Sequence, residues 1–249
     1  MSNSASGRAV TAVRDELFDI LSDTSRRAVL RIVTEQSPVG IAKNDLAFQL
    51  AAVLADKPLA SVSENDYQQA HAELHHRHVP HLTNTGLLAE TDDGSIVTGD
   101  HLAYDDPRLE ESISGDRDAD REALDTVFRA LADERRRTIL SVLSEQYHPI
   151  GTETLARDVA AREAETTERE VSQERVDDVR LSLVHLHLPL LSDATLVGYD
   201  AETARVSYEG HPDVRAEWIR PADGAEPSDG AAASIEESAD VRTLEGSPP

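Results

Sequence analysis

The chain carries one unit twice, and this duplication restricts its fold more than any other feature. Leu17-Phe18-Asp19-Ile20-Leu21-Ser22-Asp23 lies over Val127-Phe128-Arg129-Ala130-Leu131-Ala132-Asp133 at an offset of 110. The match continues with Arg26-Arg27 over Arg136-Arg137, Val29-Leu30 over Ile139-Leu140, and Glu35-Gln36 over Glu145-Gln146. Further on, LHHRHVPHL (Leu74 to Leu82) lies over LVHLHLPLL (Leu183 to Leu191) at an offset of 109. Two ordered matches at nearly one offset, the second with His-x-Pro in an apolar frame, define a repeated module of roughly a hundred residues, the size of a small domain. The length of 249 residues suits two such modules plus tails.

Periodicity predicts the same plan in both copies. In the first, a helix covers Ala12 to Leu21 with Val13, Leu17, Ile20 and Leu21 on one face. Asp23 caps a second helix, Thr24 to about Glu35, that turns Ala28, Val29, Ile32 and Val33 inward. Pro38 to Ile41 suits a small edge strand, and Asn44 or Asp45 opens a third helix carrying Leu46, Ala47, Leu50, Val53 and Leu54. Ser63-Glu64-Asn65-Asp66 resembles a capping box for the fourth helix, whose inner stripe is Tyr67, Ala70, Leu74 and Arg77 and which Pro80 ends. Leu87–Glu90 and Ser95–Thr98 form a hairpin that turns at Asp92-Asp93-Gly94.

In the second copy the helices fall near Arg121–Leu131, Glu134–Gln146, Thr152–Arg162 and Ser172–Leu188. The last faces inward through Val176, Val179, Leu183 and Leu186 and stops before Pro189. Leu196–Tyr199 and Arg205–Tyr208 supply its hairpin, and Trp218 packs under that module's closing helix. The boundaries that follow are a disordered tail at 1–10, a first domain at 11–104, a linker at 105–120, a second domain at 121–219 and a disordered acidic tail at 220–249. Within the linker, Pro107 to Ile113 has the pattern of a short closing helix.

Composition narrows the setting. The formal net charge is −24, the lysines are Lys43 and Lys57 alone, and aromatics make up 4% of the chain. A surface dense in carboxylates stays hydrated when water is scarce, and high salt screens its self-repulsion. This balance resembles the proteins of extreme halophiles. No basic segment offers the usual electrostatic footprint of nucleic-acid binding, and in molar salt counterion release drives little binding. Without cysteine there is no disulfide, thiolate metal site or cysteine nucleophile. With no apolar run of membrane-spanning length and no hydrophobic signal core, the expectation is a cytoplasmic protein away from membranes.

The order helix, helix, short strand, helix, helix, hairpin is that of a winged helix-turn-helix domain. Leu21-Ser22-Asp23-x-x-Arg26-Arg27-x-Val29-Leu30 and Leu131-Ala132-Asp133-x-x-Arg136-Arg137-x-Ile139-Leu140 resemble the opening helices of small ArsR-like transcriptional regulators. With its His-x-Pro helix exit, the module resembles an uncharacterised haloarchaeal domain family assigned to that class, over about Val13–Pro107 and Ala123–Trp218. The resemblance implies a mainly α fold with small β-hairpins, built as tandem winged helix-turn-helix domains. It implies a transcription regulator that binds double-stranded DNA; two-fold operators are usually met by dimers of such domains, and a tandem chain could supply both halves covalently as a pseudo-dimer. One departure is that Asp56–Val62 and Glu163–Val171 are longer than the roughly 3–4-residue turn of a standard helix-turn-helix.

Candidate contacts come from the fourth helices. Gln68, Gln69 and His71 lie over Asp177, Asp178 and Arg180. Amides read base edges, whereas adjacent carboxylates repel phosphates. A DNA reading therefore selects Gln68, Gln69, His71 and His75 first, with Arg175, Arg180 and the wing residue Arg205 as weaker candidates. The second copy is then free to serve as a dimerisation or protein-docking surface, and a module that binds protein or its own kind without DNA contact is the alternative. Arg26-Arg27-Arg31 and Arg135-Arg136-Arg137 could touch phosphates, but a solvated face with i, i+4 ion pairs such as Arg31 with Glu35 is favoured. His71 and His75 have metal-ligand spacing, yet the histidines common to both copies are His76/His185 and His78/His187. The reading is therefore helix-terminal histidines and no metal or other cofactor. No Gly-rich phosphate loop, nucleophile elbow or H-E-x-x-H occurs, so an enzyme is not expected.

Overall fold

A computed structural model of the chain describes residues 3–105, 107–113, 121–212 and 214–219. The expected tail at 220–249 and residues 114–120 of the expected linker lie outside them. The first module comprises α1 (Asn3–Leu21), α2 (Thr24–Gln36), β1 (Ile41–Ala42), α3 (Lys43–Leu54), α4 (Glu64–Glu73), α5 (Val79–Asn84), β2 (Leu88–Glu90), β3 (Ser95–Thr98) and α6 (Pro107–Ile113). The second comprises α7 (Arg121–Leu131), α8 (Glu134–Ser144), β4 (Ile150–Gly151), α9 (Thr152–Glu163), α10 (Gln173–Ser182), α11 (Leu188–Asp193), β5 (Val197–Asp200), β6 (Arg205–Tyr208) and α12 (Ala216–Ile219).

Local chemistry sets most of these boundaries. The Asp23 and Asp133 carboxylates accept from the Arg26 and Arg136 amides, which closes the first turns of α2 and α8. Ser63 and Asp66 exchange the two bonds of a capping box at α4. Gly94 takes φ +83° where the first hairpin reverses. Each module closes with a three-stranded antiparallel sheet, in the order β1-β3-β2 and β4-β6-β5. Ile41 lies opposite Ile96, and Ile150 opposite Val206, so the two-residue strand ties α3 or α9 to the hairpin.

Several boundaries differ from expectation. α1 begins at Asn3, within the stretch expected to be a tail; Ala5, Arg8 and Ala9 favour helix, and propagation from an existing helix costs little. Its inner face is Phe18, Ile20 and Leu21, while Val13 is exposed. α3 begins at Lys43 directly after β1, with no side-chain cap. α6 spans half of the expected linker and buries Leu109 and Ile113 beside α2.

The prolines do not end the long helices. α4 runs through a π-helical turn, Leu74–His78, into α5, and α10 runs through Leu183–His187 into α11. The Val79 and Leu188 amides reach back to the Leu74 and Leu183 carbonyls across five residues. Pro80 and Pro189 then occupy the first turn of the next α-segment. Proline clashes with the carbonyl four residues back in a regular helix, and the wider turn relieves that conflict. It also shifts the inner face by one residue. Arg77 and Leu186, expected inside, are exposed, while His78 and His187 are buried. His78 and His187 are therefore core residues rather than helix-terminal ones.

The two modules share one apolar cluster. Phe18 stacks on Phe128 with ring centres 6.2 Å apart, and Trp218 covers both at 6.0 and 5.6 Å. Trp218 thus packs across the junction of the two copies, while α12 lies against α8 of its own module. Around this contact the pairing is reciprocal. Arg27 of the first copy binds Asp125 of the second at 2.5 Å and lies over Phe128, and Arg137 of the second binds Asp15 of the first at 2.5 Å and lies over Phe18. Each pair maps onto the other by the offset of 110, which is the signature of a two-fold interface. Arg27 and Arg137 are therefore buried junction residues, neither solvated nor available to phosphate.

Candidate nucleic-acid interface

α4 is held against its module by Tyr67, half-buried, and by Ala70 and Leu74, both buried. Its other side faces outward. There Gln68 and Gln69 are exposed, and their amides donate to Glu64 at 2.7 Å and Glu73 at 3.2 Å. His71 is half-buried beside Tyr67, with ring centres 5.6 Å apart, and lies nearly parallel to the exposed His75 at 6.3 Å. Phe48 of α3 extends this row beyond Tyr67, at 6.2 Å, and His76 extends it beyond His75, at 4.9 Å. The four first-copy candidates thus share one outward helix surface, continued by Phe48 and His76, neither of which the sequence pattern marks as a contact; Arg77 is exposed as well but pairs with Asp23 at 3.2 Å.

The start of this helix is fixed by charge. Lys57 donates to Asp66 at 2.7 Å and Ser63 donates to it as well. These bonds hold the Asp66 carboxyl down at about 2.

The second copy's face is different. α10 exposes Asp177 and Asp178 where α4 exposes Gln68 and Gln69. Arg175 binds Glu163 at 2.8 Å, Arg180 binds Asp177 at 3.6 Å, and Arg205 donates to the Pro149 carbonyl. These three arginines are dispersed and already committed to acceptors on the protein. Further along the same rod Leu181, Leu186 and Leu190 are exposed, where the first copy has Ala72, Arg77 and His81. Both wing tips are acidic, with Asp92 and Asp93 in one and Asp200 and Glu202 in the other, all exposed.

Beneath these faces lies a pair of matched buried groups. Both ring nitrogens of His78, and Nδ1 of His187, lack hydrogen-bond partners. His187 Nδ1 is 3.9 Å from the Asp133 carboxylate, beyond hydrogen-bonding range. Burial lowers the pKa of both imidazoles, against the opposing pull of the Asp23 and Asp133 carboxylates that cap α2 and α8. A separate cleft of about 600 Å³ lies between α8, α9 and residues 166–169. It contains Asp158, pushed up to about 6 first by burial and then by Glu168. Among the described residues, no three His, Asp or Glu side chains converge as a metal-ion site, and no helix is long and apolar enough to cross a membrane.

Fold and surface together define a two-module, mainly helical protein with small three-stranded sheets, each module presenting one long helix whose outer face differs between copies. The chain belongs to the family described as a domain of unknown function (DUF7344), matched at residues 18–98 and again at 128–207. No curated protein and no solved structure matches the chain.

Proposed function

We propose that each module is a winged helix-turn-helix domain and that the chain is a DNA-binding transcription regulator of a halophilic archaeon, acting in the cytoplasm without catalysis. In this reading α4 lies in the major groove of double-stranded DNA. The element order, with the hairpin following the long helix, supports the winged-helix assignment. The observation that carries the DNA reading is the contrast between the two outward helix faces. α4 offers two amides and a row of imidazoles, whereas α10 offers two carboxylates at the matching positions. The amides can pair with adenine edges, and the imidazoles can donate to acceptors on guanine. The acidic wing tips argue against wing contacts to phosphate, so α4 carries the recognition.

The test is recovery of sheared genomic DNA on the intact chain in molar KCl, compared with Gln68→Glu/Gln69→Glu. The intact chain retains DNA and the double variant loses it. Equal, negligible recovery from both removes the DNA reading. The exposed leucines of the second module favour a second reading, in which the chain is a protein-interaction module without DNA contact.

A further inference from the structure

We infer that a second copy of this chain docks on the leucine ridge of the second module, pairing the α10–α11 rods antiparallel about a two-fold axis near Leu186. Leu181 and Leu186 are 62% and 61% exposed and Leu190 is 39% exposed. From Ser182 to Ser192 the rod has no Asp, Glu, Lys or Arg, in a chain that is 29% charged. Such a strip excludes phosphate and cationic partners and suits another uncharged strip.

Spacing and charge identify that partner as the same surface. The ridge reads Leu-x4-Leu-x3-Leu and is nearly symmetric about Leu186. An antiparallel two-fold therefore sets Leu186 against itself and Leu181 against Leu190 of the second copy, as an isologous contact requires. Arg180 lies six residues before Leu186 and Asp193 seven after it. The same operation carries each Arg180, held to Asp177 only by an exposed contact of 3.6 Å, toward the other copy's Asp193. Asp178 lies near that meeting point and opposes it, so association strengthens as salt screens like charge.

The alternative surface for self-pairing is already filled. The Phe18, Phe128, Arg27 and Arg137 junction is satisfied within one chain. The first copy has Ala72, Arg77 and His81 in place of the leucines, so each chain offers one ridge and assembly closes at two. The assembly would set two α4 faces in one particle, which is what a two-fold operator requires. The docking itself follows from the ridge and stands without the DNA reading.

The experiment is sedimentation equilibrium of the full chain, without DNA, in molar KCl, at loadings from about 1 to 100 µM, spanning the micromolar range expected for a small apolar interface. A monomer–dimer equilibrium that tightens with salt is the expected result. Leu186→Asp weakens it by roughly tenfold or more, as loss of a central apolar anchor does, and Ala72→Asp at the matching first-copy position leaves it unchanged. Leu181→Ser, at the other end of the ridge, weakens it too and keeps the test open should Leu186→Asp fail to fold. Arg180→Glu also weakens it, and adding Asp193→Arg restores it. A monomer at every loading, a dimer indifferent to Leu186→Asp and Leu181→Ser, or growth beyond a dimer overturns the proposal. Each of these leaves the DNA reading standing, and failure of DNA recovery leaves the dimer standing.

Discussion

At the scale of single residues, His78 and His187 decide how the fold meets acid. Each is buried with at least one ring nitrogen that lacks a partner, so the neutral imidazole is the form the core accepts. Their folded pKa values lie below the ordinary 6.5. As pH falls through that value the unfolded chain gains protons that the folded chain refuses, so stability is lost. Asp158 works in the opposite direction. Its folded value of about 6 exceeds 3.8, so the folded chain holds a proton between those values that the unfolded chain has released, and stability falls as pH rises through that window. The urea midpoint should therefore drop first between about pH 7 and 6, where the histidines outweigh the proton that Asp158 begins to take up, and more gently below. His78→Leu/His187→Leu should flatten the upper drop without large cost at neutral pH, because an apolar group replaces an unsatisfied polar one. Asp158→Asn should steepen the lower part. A midpoint in the double leucine variant that still falls between pH 7 and 6 as in the parent would exclude the histidines as its source.

At the scale of elements, the π turns explain both what could be read from the sequence and what could not. Helix order, the Asp23 and Ser63 caps, and the hairpin strands to within a residue or so were all legible, because each rests on local chemistry within a few positions. The continuation of α4 past Pro80 was not. A proline argues for a helix end only while the ladder keeps its four-residue step, and nothing in His75-His76-Arg77 announces a five-residue step. A four-residue step therefore sets the inner stripe one residue out of phase and makes His78 and His187 look terminal. A π turn is an α-helix with one residue inserted, which yields a direct check. Removing the exposed His76 should return the segment to α-geometry with its flanks in phase, but leave Pro80 inside a regular helix at a cost of about 3 kcal/mol. Adding Pro80→Ala to the deletion should recover most of that loss. Urea midpoints and far-ultraviolet dichroism of the two variants decide the matter, and equal stability of both would separate the proline from the π turn.

At the scale of the molecule, the junction makes one body of two copies, and it was the least legible feature. The shared Asp-x-[Leu/Val]-Phe of Asp15–Phe18 and Asp125–Phe128 was the available signal, since a carboxylate kept beside a core phenylalanine in both copies has a partner to meet. That partner lies about a hundred residues away, so no local pattern displays it. The energetics follow from burial. The Arg27 side chain is 8% exposed, and Asp125→Ala would leave its charge short of a counterion. Removing one member of a buried pair costs about 3–5 kcal/mol, and the lower end applies because Arg27 keeps Thr24 and the Leu21 carbonyl as acceptors. Asp15→Ala should cost less, since Asp15 is 37% exposed and solvent already screens the pair. Trp218, the sole tryptophan, reports on the junction directly because it packs against both Phe18 and Phe128. In the parent chain its emission should shift at the same urea concentration at which helix is lost, because one continuous core couples the unfolding of the two modules. Phe128→Ala removes a fully buried ring at a cost of about 3–5 kcal/mol and should red-shift the emission. In Asp15→Ala/Asp125→Ala the emission change should precede the loss of helix, as the copies part before either unfolds. Coincident transitions in that variant, with Trp218 emission unmoved, would mean that apolar packing alone holds the copies together and that the reciprocal ion pairs contribute orientation rather than stability.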